Sequence, residues 1–230
     1  MSVTDLRLTL GPLGEVSATH YGALGGGADP RPCLVLAHGA GANHRHRFFT
    51  TYAADLAARG VDVVTFNFLY TERGKHSPDP AALLEHTWAA ALESVIETIP
   101  ISGRLVVGGK SMGGRIASQV LAQPAQSAVW QRVSGLVLLG YPLHPPGQPA
   151  KARVAHLPSI AAPILVVQGT RDAFGTRAEV EPVFTALPTR VDFEWIEGGD
   201  HSFVVAKSGG RSADDVRAVV CDRVATWIGG

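Results

Sequence analysis

Residues 33–37, 105–107, 135–139 and 164–167 carry no charged or hydrogen-bonding side chain, as expected of strands buried on both faces of a sheet. Residues 61–66 and 191–196 read as two further strands. Between these runs the apolar positions recur at helical spacing. Phe49, Tyr52, Ala53, Leu56 and Ala57 form one such face, which Gly60 ends, and Leu84, Trp88, Leu92, Val95 and Ile99 form a second. Met112, Ile116, Ala117, Val120 and Leu121 form a third, closed by Pro124, with Val180, Val183, Phe184 and Leu187 as a fourth. Val216, Val219, Val220, Val224 and Trp227 make the last. Strand and helix therefore alternate along most of the chain. That order predicts an α/β fold, a mostly parallel sheet covered on both faces, with right-handed crossovers.

The ends and connections add detail. Leu6, Leu8 and Leu10 alternate with polar residues, residues 11–14 turn the chain, and residues 15–21 can return, which predicts an antiparallel hairpin at a sheet edge. Residues 25–30, Gly-Gly-Gly-Ala-Asp-Pro, read as a flexible connection too short to separate domains. Residues 68–80 read as a polar loop and residues 140–146 as a rigid segment with little regular structure. Thr176 with Glu179, and Ser212 with Asp215, have the spacing of helix-capping boxes, although Pro182 weighs against the first of these helices.

Composition narrows the class. The 230 residues, 46% hydrophobic and 17% charged, suffice for one large core, so a single domain over residues 1–230 is expected. Twenty basic residues balance twenty acidic ones without a long run of either sign, which recommends neither a nucleic acid nor a membrane surface as partner. Two cysteines, both in core-like segments, make no disulfide framework and fit a reducing compartment. The start of the chain has neither a basic segment nor a long apolar one, so a soluble cytoplasmic protein is expected.

The candidate chemistry lies beyond the carboxyl ends of the strands, where open α/β sheets place their functional loops. Gly109, Ser111 and Gly113 form G-x-S-x-G at a change from strand to helix, a sharp turn that exposes a serine hydroxyl and leaves no room for side chains on its neighbours. A hydroxyl becomes a nucleophile when a base takes its proton, and His201 is the candidate base. Asp172, after the strand at 164–168, is the candidate to orient that imidazole. Asp200 is a less suitable partner, because adjacent residues in a loop seldom turn toward each other. A tetrahedral oxyanion needs fixed donors, and the backbone N–H groups of Ala40 and Met112 are the candidates, with Gly41 as an alternative to Ala40.

Other readings fail on spacing. Gly109-Lys110-Ser111 resembles the end of a phosphate-binding loop, but the required first glycine falls on Arg104. His44 and His46 lack a third metal ligand and sit among arginines, so no metal and no cofactor are expected. Lys110, Arg115, Arg73 and Lys75 are read as solvated charges or ion pairs rather than as anion contacts.

Taken together, residues 38–42, 108–115 and 169–172 with Asp200 and His201 resemble the α/β-hydrolase superfamily. More narrowly, they are similar to its small lidless branch, related to dienelactone hydrolases and to the testis-expressed and histone-acetyltransferase-complex hydrolase-like proteins. The resemblance implies an eight-stranded sheet, a Ser111–Asp172–His201 triad and hydrolysis of a carboxylic ester or thioester through an acyl-enzyme. A small-molecule acyl substrate is then the partner. Serine stands where dienelactone hydrolases use cysteine, so their substrate does not carry over. Some members of the narrower branch act as scaffolds, which leaves a catalytically idle interaction protein as the alternative. Only residues 140–163 connect two strands where larger hydrolases carry a cap. A shallow site for small or exposed acyl groups is expected, lined by some of Phe48, Phe68, Tyr70, Tyr141, Leu143, Phe174 and Phe203.

Overall fold

A computed structural model of the chain describes residues 1–24, 30–124, 127–206 and 210–230. The strands are β1 (Ser2–Thr9), β2 (Glu15–Gly22), β3 (Cys33–Ala37), β4 (Asp62–Phe66), β5 (Leu105–Lys110), β6 (Val133–Leu139), β7 (Ile164–Gly169) and β8 (Val191–Ile196). They form one sheet in the order β1-β2-β4-β3-β5-β6-β7-β8. The first two pairings are antiparallel and the rest parallel. The helices are α1 (Arg47–Ala58), α2 (Leu69–Glu72), α3 (Ala81–Thr98), α4 (Met112–Leu121), α5 (Arg177–Thr185) and α6 (Ala213–Gly229).

The pleat sends alternate residues of each buried strand into different cores. Val35 and Val107 join the core beneath α3, α4 and α5, whereas Leu34, Leu36 and Val106 join the one beneath α1 and α6. Apolar side chains at every position are thus used on both faces. Trp88 of α3 is fully buried, stands edge-on to Phe66 and Trp130, and donates its indole N–H to the Gly113 carbonyl at 3.1 Å. It ties one core to the first turn of α4.

Several boundaries differ from the sequence reading. The hairpin strand begins at Ser2, because residues 2–5 pair with β2 through the backbone although their side chains are exposed and unpatterned. Strand β5 runs on to Lys110, whose partner in β6 is Leu139. Pro182 lies inside α5, a nine-residue helix held by the Thr176–Glu179 capping box and by buried Val180 and Phe184. The Ser212–Asp215 box opens α6 as expected. Between β6 and β7 there are only two single-turn helices, Pro149–Lys151 and Leu157–Ser159, and no cap. The glycine-rich connection expected at residues 25–30 lies, for residues 25–29, outside the described residues. Among the described residues no helix is long and apolar enough to cross a membrane.

The segment read as a polar loop holds α2, and Glu72 at its end is a structural clamp. Its carboxylate accepts hydrogen bonds from the Ser17 N–H, the Ser17 hydroxyl and the Asn67 amide, each at 3.0 Å, and pairs with Arg7. Asn67 in turn accepts from the His44 N–H at 2.9 Å. The N-terminal hairpin, the end of β4 and the loop before α1 are joined through one side chain.

Burial works against the Glu72 charge, but hydrogen bonds from Asn67, Ser17 and Arg7 outweigh it and hold the carboxyl at about 2. Its value is therefore below that of an unfolded glutamate, and the stabilisation is complete above about pH 5 and lost as pH falls toward 2. Glu72→Gln should lower urea stability at pH 7 by about 1–3 kcal/mol. The gap between variant and wild type should narrow as the pH is lowered through that range.

Candidate active site

Three of the parallel strands end at one place. Ser111 follows β5 with φ 52° and ψ −118°, a strained backbone for a residue with a side chain, and its N–H donates to the Leu139 carbonyl at 3.0 Å. The turn is packed so closely that a Cβ on Gly109 would come within 2.6 Å of the Ala37 carbonyl oxygen, and one on Gly113 within 2.2 Å. The G-x-S-x-G spacing is thus a record of backbone meeting backbone at the ends of β3 and β5.

The Ser111 Oγ lies 2.8 Å from His201 Nε2, and His201 Nδ1 lies 2.7 Å from Asp172 Oδ2. Asp172 is fully buried, and its two oxygens also accept from the Phe174 N–H at 2.8 Å and the Gln168 amide at 2.9 Å. Gln168 further receives the Tyr141 N–H at 2.7 Å and donates to the Gly175 carbonyl at 3.0 Å, so this buried amide, at the end of β7, joins the loops that follow β6 and β7. Asp200 turns away from the imidazole: its carboxylate accepts from the N–H groups of Ser202 and Val204. Phe203 holds that loop in a left-handed conformation at φ 65°.

On the other side of Ser111, the loop carrying Ala40 is fixed by His38, which is fully buried. Burial pushes its imidazole down to about 4, so the ring is neutral at physiological pH. Its Nδ1 then donates to the Gly39 carbonyl at 2.9 Å, and Nε2 accepts the Phe68 N–H at 3.2 Å. The N–H groups of Ala40 and Met112 have no acceptor among the described residues.

A cleft of about 590 Å³ opens over Ser111 and His201. Ala40, Met112, Phe48 and Phe174 line it, and Phe174 packs on the His201 ring with centroids 4.3 Å apart. Phe68, Tyr70, Tyr141, Leu143 and Phe203 do not line it; they are buried behind its walls. The sequence reading gave no site role to Pro78, Asp79, Ala81, Leu84, Pro142 or Arg153, which also line the cleft. Pro78, Asp79, Pro142 and Arg153 come from connecting segments without periodicity, whereas Ala81 and Leu84 belong to the first turn of α3, where Leu84 was read only as part of the buried face. His44 bonds Asn67 and His46 receives the Phe48 N–H at the start of α1, and no group of three metal-ligating side chains occurs among the described residues.

A family model described as an alpha/beta hydrolase domain matches residues 30–229. The chain belongs to the α/β-hydrolase family. Its fold is similar to that of a dienelactone hydrolase from Anabaena variabilis, with a TM-score of 0.74 and 16% identity over 98% of this chain and 96% of that one. It is also similar to a serine hydrolase without lid from Xanthomonas campestris, with a TM-score of 0.71 and 20% identity over 99% and 95% of the two chains. The carboxylic ester hydrolase LipN of Mycobacterium tuberculosis is 35% identical over 124 residues, 52% of this chain. This α/β hydrolase spans about a third of that relative, 32% of its length.

One charge in this hydrolase departs from the expectation of a solvated or paired side chain. Lys110, directly before Ser111, is buried, and its ammonium has no hydrogen-bond partner among the described residues. It lies 5.5 Å from the centre of the Phe203 ring. Burial lowers its pKa to about 8, against the opposing pull of the Asp172 and Asp200 charges. An unfolded lysine titrates at about 10.4, so the folded state carries a penalty that is full below about pH 8 and disappears as pH rises past the unfolded value. Lys110→Met should therefore be more resistant to urea than wild type at pH 7, by about 1–3 kcal/mol. That advantage should shrink across the same alkaline window.

Proposed function

We propose that the protein is a serine hydrolase that cleaves a carboxylic ester or thioester through an acyl-enzyme. The observation that carries this reading is the unbroken line of short contacts from the Ser111 hydroxyl through His201 to buried Asp172. As the hydroxyl oxygen bonds to the substrate carbonyl carbon, its proton passes to His201 Nε2. Asp172 keeps the proton of His201 on Nδ1 and stabilises the imidazolium that forms. The negative oxygen of the tetrahedral intermediate is held by the N–H groups of Ala40 and Met112. When the intermediate collapses, the imidazolium returns its proton to the departing alkoxide or thiolate. Water then repeats the sequence on the acyl-enzyme with His201 as base, releasing the acid and restoring the serine.

The family match and the similarity of part of the chain to a carboxylic ester hydrolase support this reading. The uncapped cleft supports small or exposed acyl groups, which would pack against Phe48 and Phe174. Phe68, Tyr70, Tyr141, Leu143 and Phe203 would then act by holding the walls in place. The substrate is a small molecule, processed within one domain of residues 1–230 and without a cofactor.

A fluorophosphonate probe should label Ser111 stoichiometrically, and Ser111→Ala should abolish both labelling and turnover of short aryl esters. Folded wild-type protein that neither labels nor turns over any aryl ester or acyl thioester would instead indicate an idle scaffold. Asp172→Asn, which leaves the carboxylate position filled but disturbs the imidazole tautomer, should lower kcat on the order of 10³–10⁴-fold. Circular dichroism would check that its fold is retained.

A further inference from the structure

Two guanidinium groups border the same cleft as Ser111 without a carboxylate partner among the described residues. Arg115 lies one helical turn beyond Ser111 in α4 and donates to the side-chain oxygen of Gln119 at 2.8 Å. Arg153 lies in the connection between β6 and β7, where it donates to the Pro142 carbonyl at 3.2 Å. Its backbone is pinned from two directions, since its N–H donates to the Leu143 carbonyl at 2.7 Å and its carbonyl accepts the Tyr141 hydroxyl at 2.6 Å. Most other arginines that make side-chain contacts are neutralised: Arg7, Arg45, Arg59, Arg177, Arg190, Arg217 and Arg223 each pair with a carboxylate.

The two cations bear on each other. Arg115 holds its proton less firmly because it is buried and because Arg153 is near, while Tyr141 and Glu85 pull the other way. The Glu85 carboxylate is instead bonded to the Gln123 amide and makes no ion pair with either arginine. Asp79 also lines the cleft but forms no ion pair with Arg115 or Arg153, and its Oδ2 is buried without a hydrogen-bond partner among the described residues. Both part-buried guanidinium groups are thus held by hydrogen bonds at the wall of one cleft, with donors to spare for an anion that enters it.

We propose that Arg115 and Arg153 form a subsite for an anionic oxygen group, carboxylate or phosphate, carried by the substrate whose acyl carbon meets Ser111. This deepens the hydrolase reading and rests on it for the second half of the claim. A neutral substrate of the same length leaves both guanidinium groups uncompensated, so selectivity for the anion follows from the charges alone. Sequence spacing could not bring the pair together, because 38 residues separate them and only the return of the chain after β6 sets Arg153 opposite α4.

Calorimetric binding to Ser111→Ala, which removes turnover, tests the subsite directly with three probes: monoethyl glutarate, ethyl 4-phosphonobutanoate and neutral diethyl glutarate. At least one anionic ester should bind about tenfold or more tightly than the neutral one, and which of the two does so identifies the group preferred. Adding Arg153→Gln, or separately Arg115→Gln, should reduce that preference by about tenfold, with thermal unfolding used to check that each variant is folded. Equal binding of all three probes, or a preference that survives both arginine substitutions in folded protein, would overturn the proposal. Fluorophosphonate labelling of the wild type is run in parallel: labelling without anion preference removes the subsite alone, and anion preference without labelling removes the hydrolase reading alone.

Discussion

The site depends on the close approach of the turn after β5 to the end of β3. A backbone carbonyl, that of Ala37, occupies the space where side chains on residues 109 and 113 would otherwise project. Because those chains meet without side chains between them, Ser111 can take a backbone conformation that its own Cβ disfavours and still be rigid. The helix α4 starts at once behind it, and Trp88 locks the carbonyl of Gly113 from the opposite side. The position of the hydroxyl is therefore set by the centre of the sheet.

The other two members of the site are held differently. Asp172 and His201 come from the loops after β7 and β8, and Asp172 is held toward His201 with the help of Gln168, a buried polar residue inside an otherwise apolar strand. Its amide is satisfied by Tyr141, Gly175 and Asp172 together, so a group that would be costly to bury becomes a fastening between two loops. On the opposite side, neutral His38 performs a similar service for the Ala40 loop. The rigid sheet and these two buried polar residues share the task of bringing distant segments to one cleft.

Much of this was legible in the chain. Uninterrupted apolar runs marked the buried strands because both faces of the sheet are covered, and helical spacing marked α1, α3, α4 and α6 because each buries one stripe. Ser111, Asp172 and His201 were identifiable because strand ends are where such loops collect. What periodicity could not supply is whatever depends on backbone pairing or on long-range polar contacts. Residues 2–5 joined β1 with exposed side chains, and Glu72 looked like a loop charge although it fastens the hairpin to the sheet. Lys110 looked like a surface charge because nothing in its neighbours announces that β5 continues three residues past its apolar run. Phe68, Tyr70, Tyr141, Leu143 and Phe203 were proposed to face substrate by residue type, and residue type does not distinguish the lining of a cleft from the core behind it.

The uncapped connection between β6 and β7 has a consequence for how such a site could work. With no cap between those strands, the cleft over Ser111 stands open in this structure, and the proposed chemistry would need no movement of that connection for entry and exit. The same openness forfeits the gain that enclosed enzymes draw from a dry interior. For the proposed chemistry, stabilisation must come from dipoles and charges already fixed in place before substrate arrives, and the immobility of the turn, the two loops and the buried amide is what supplies it.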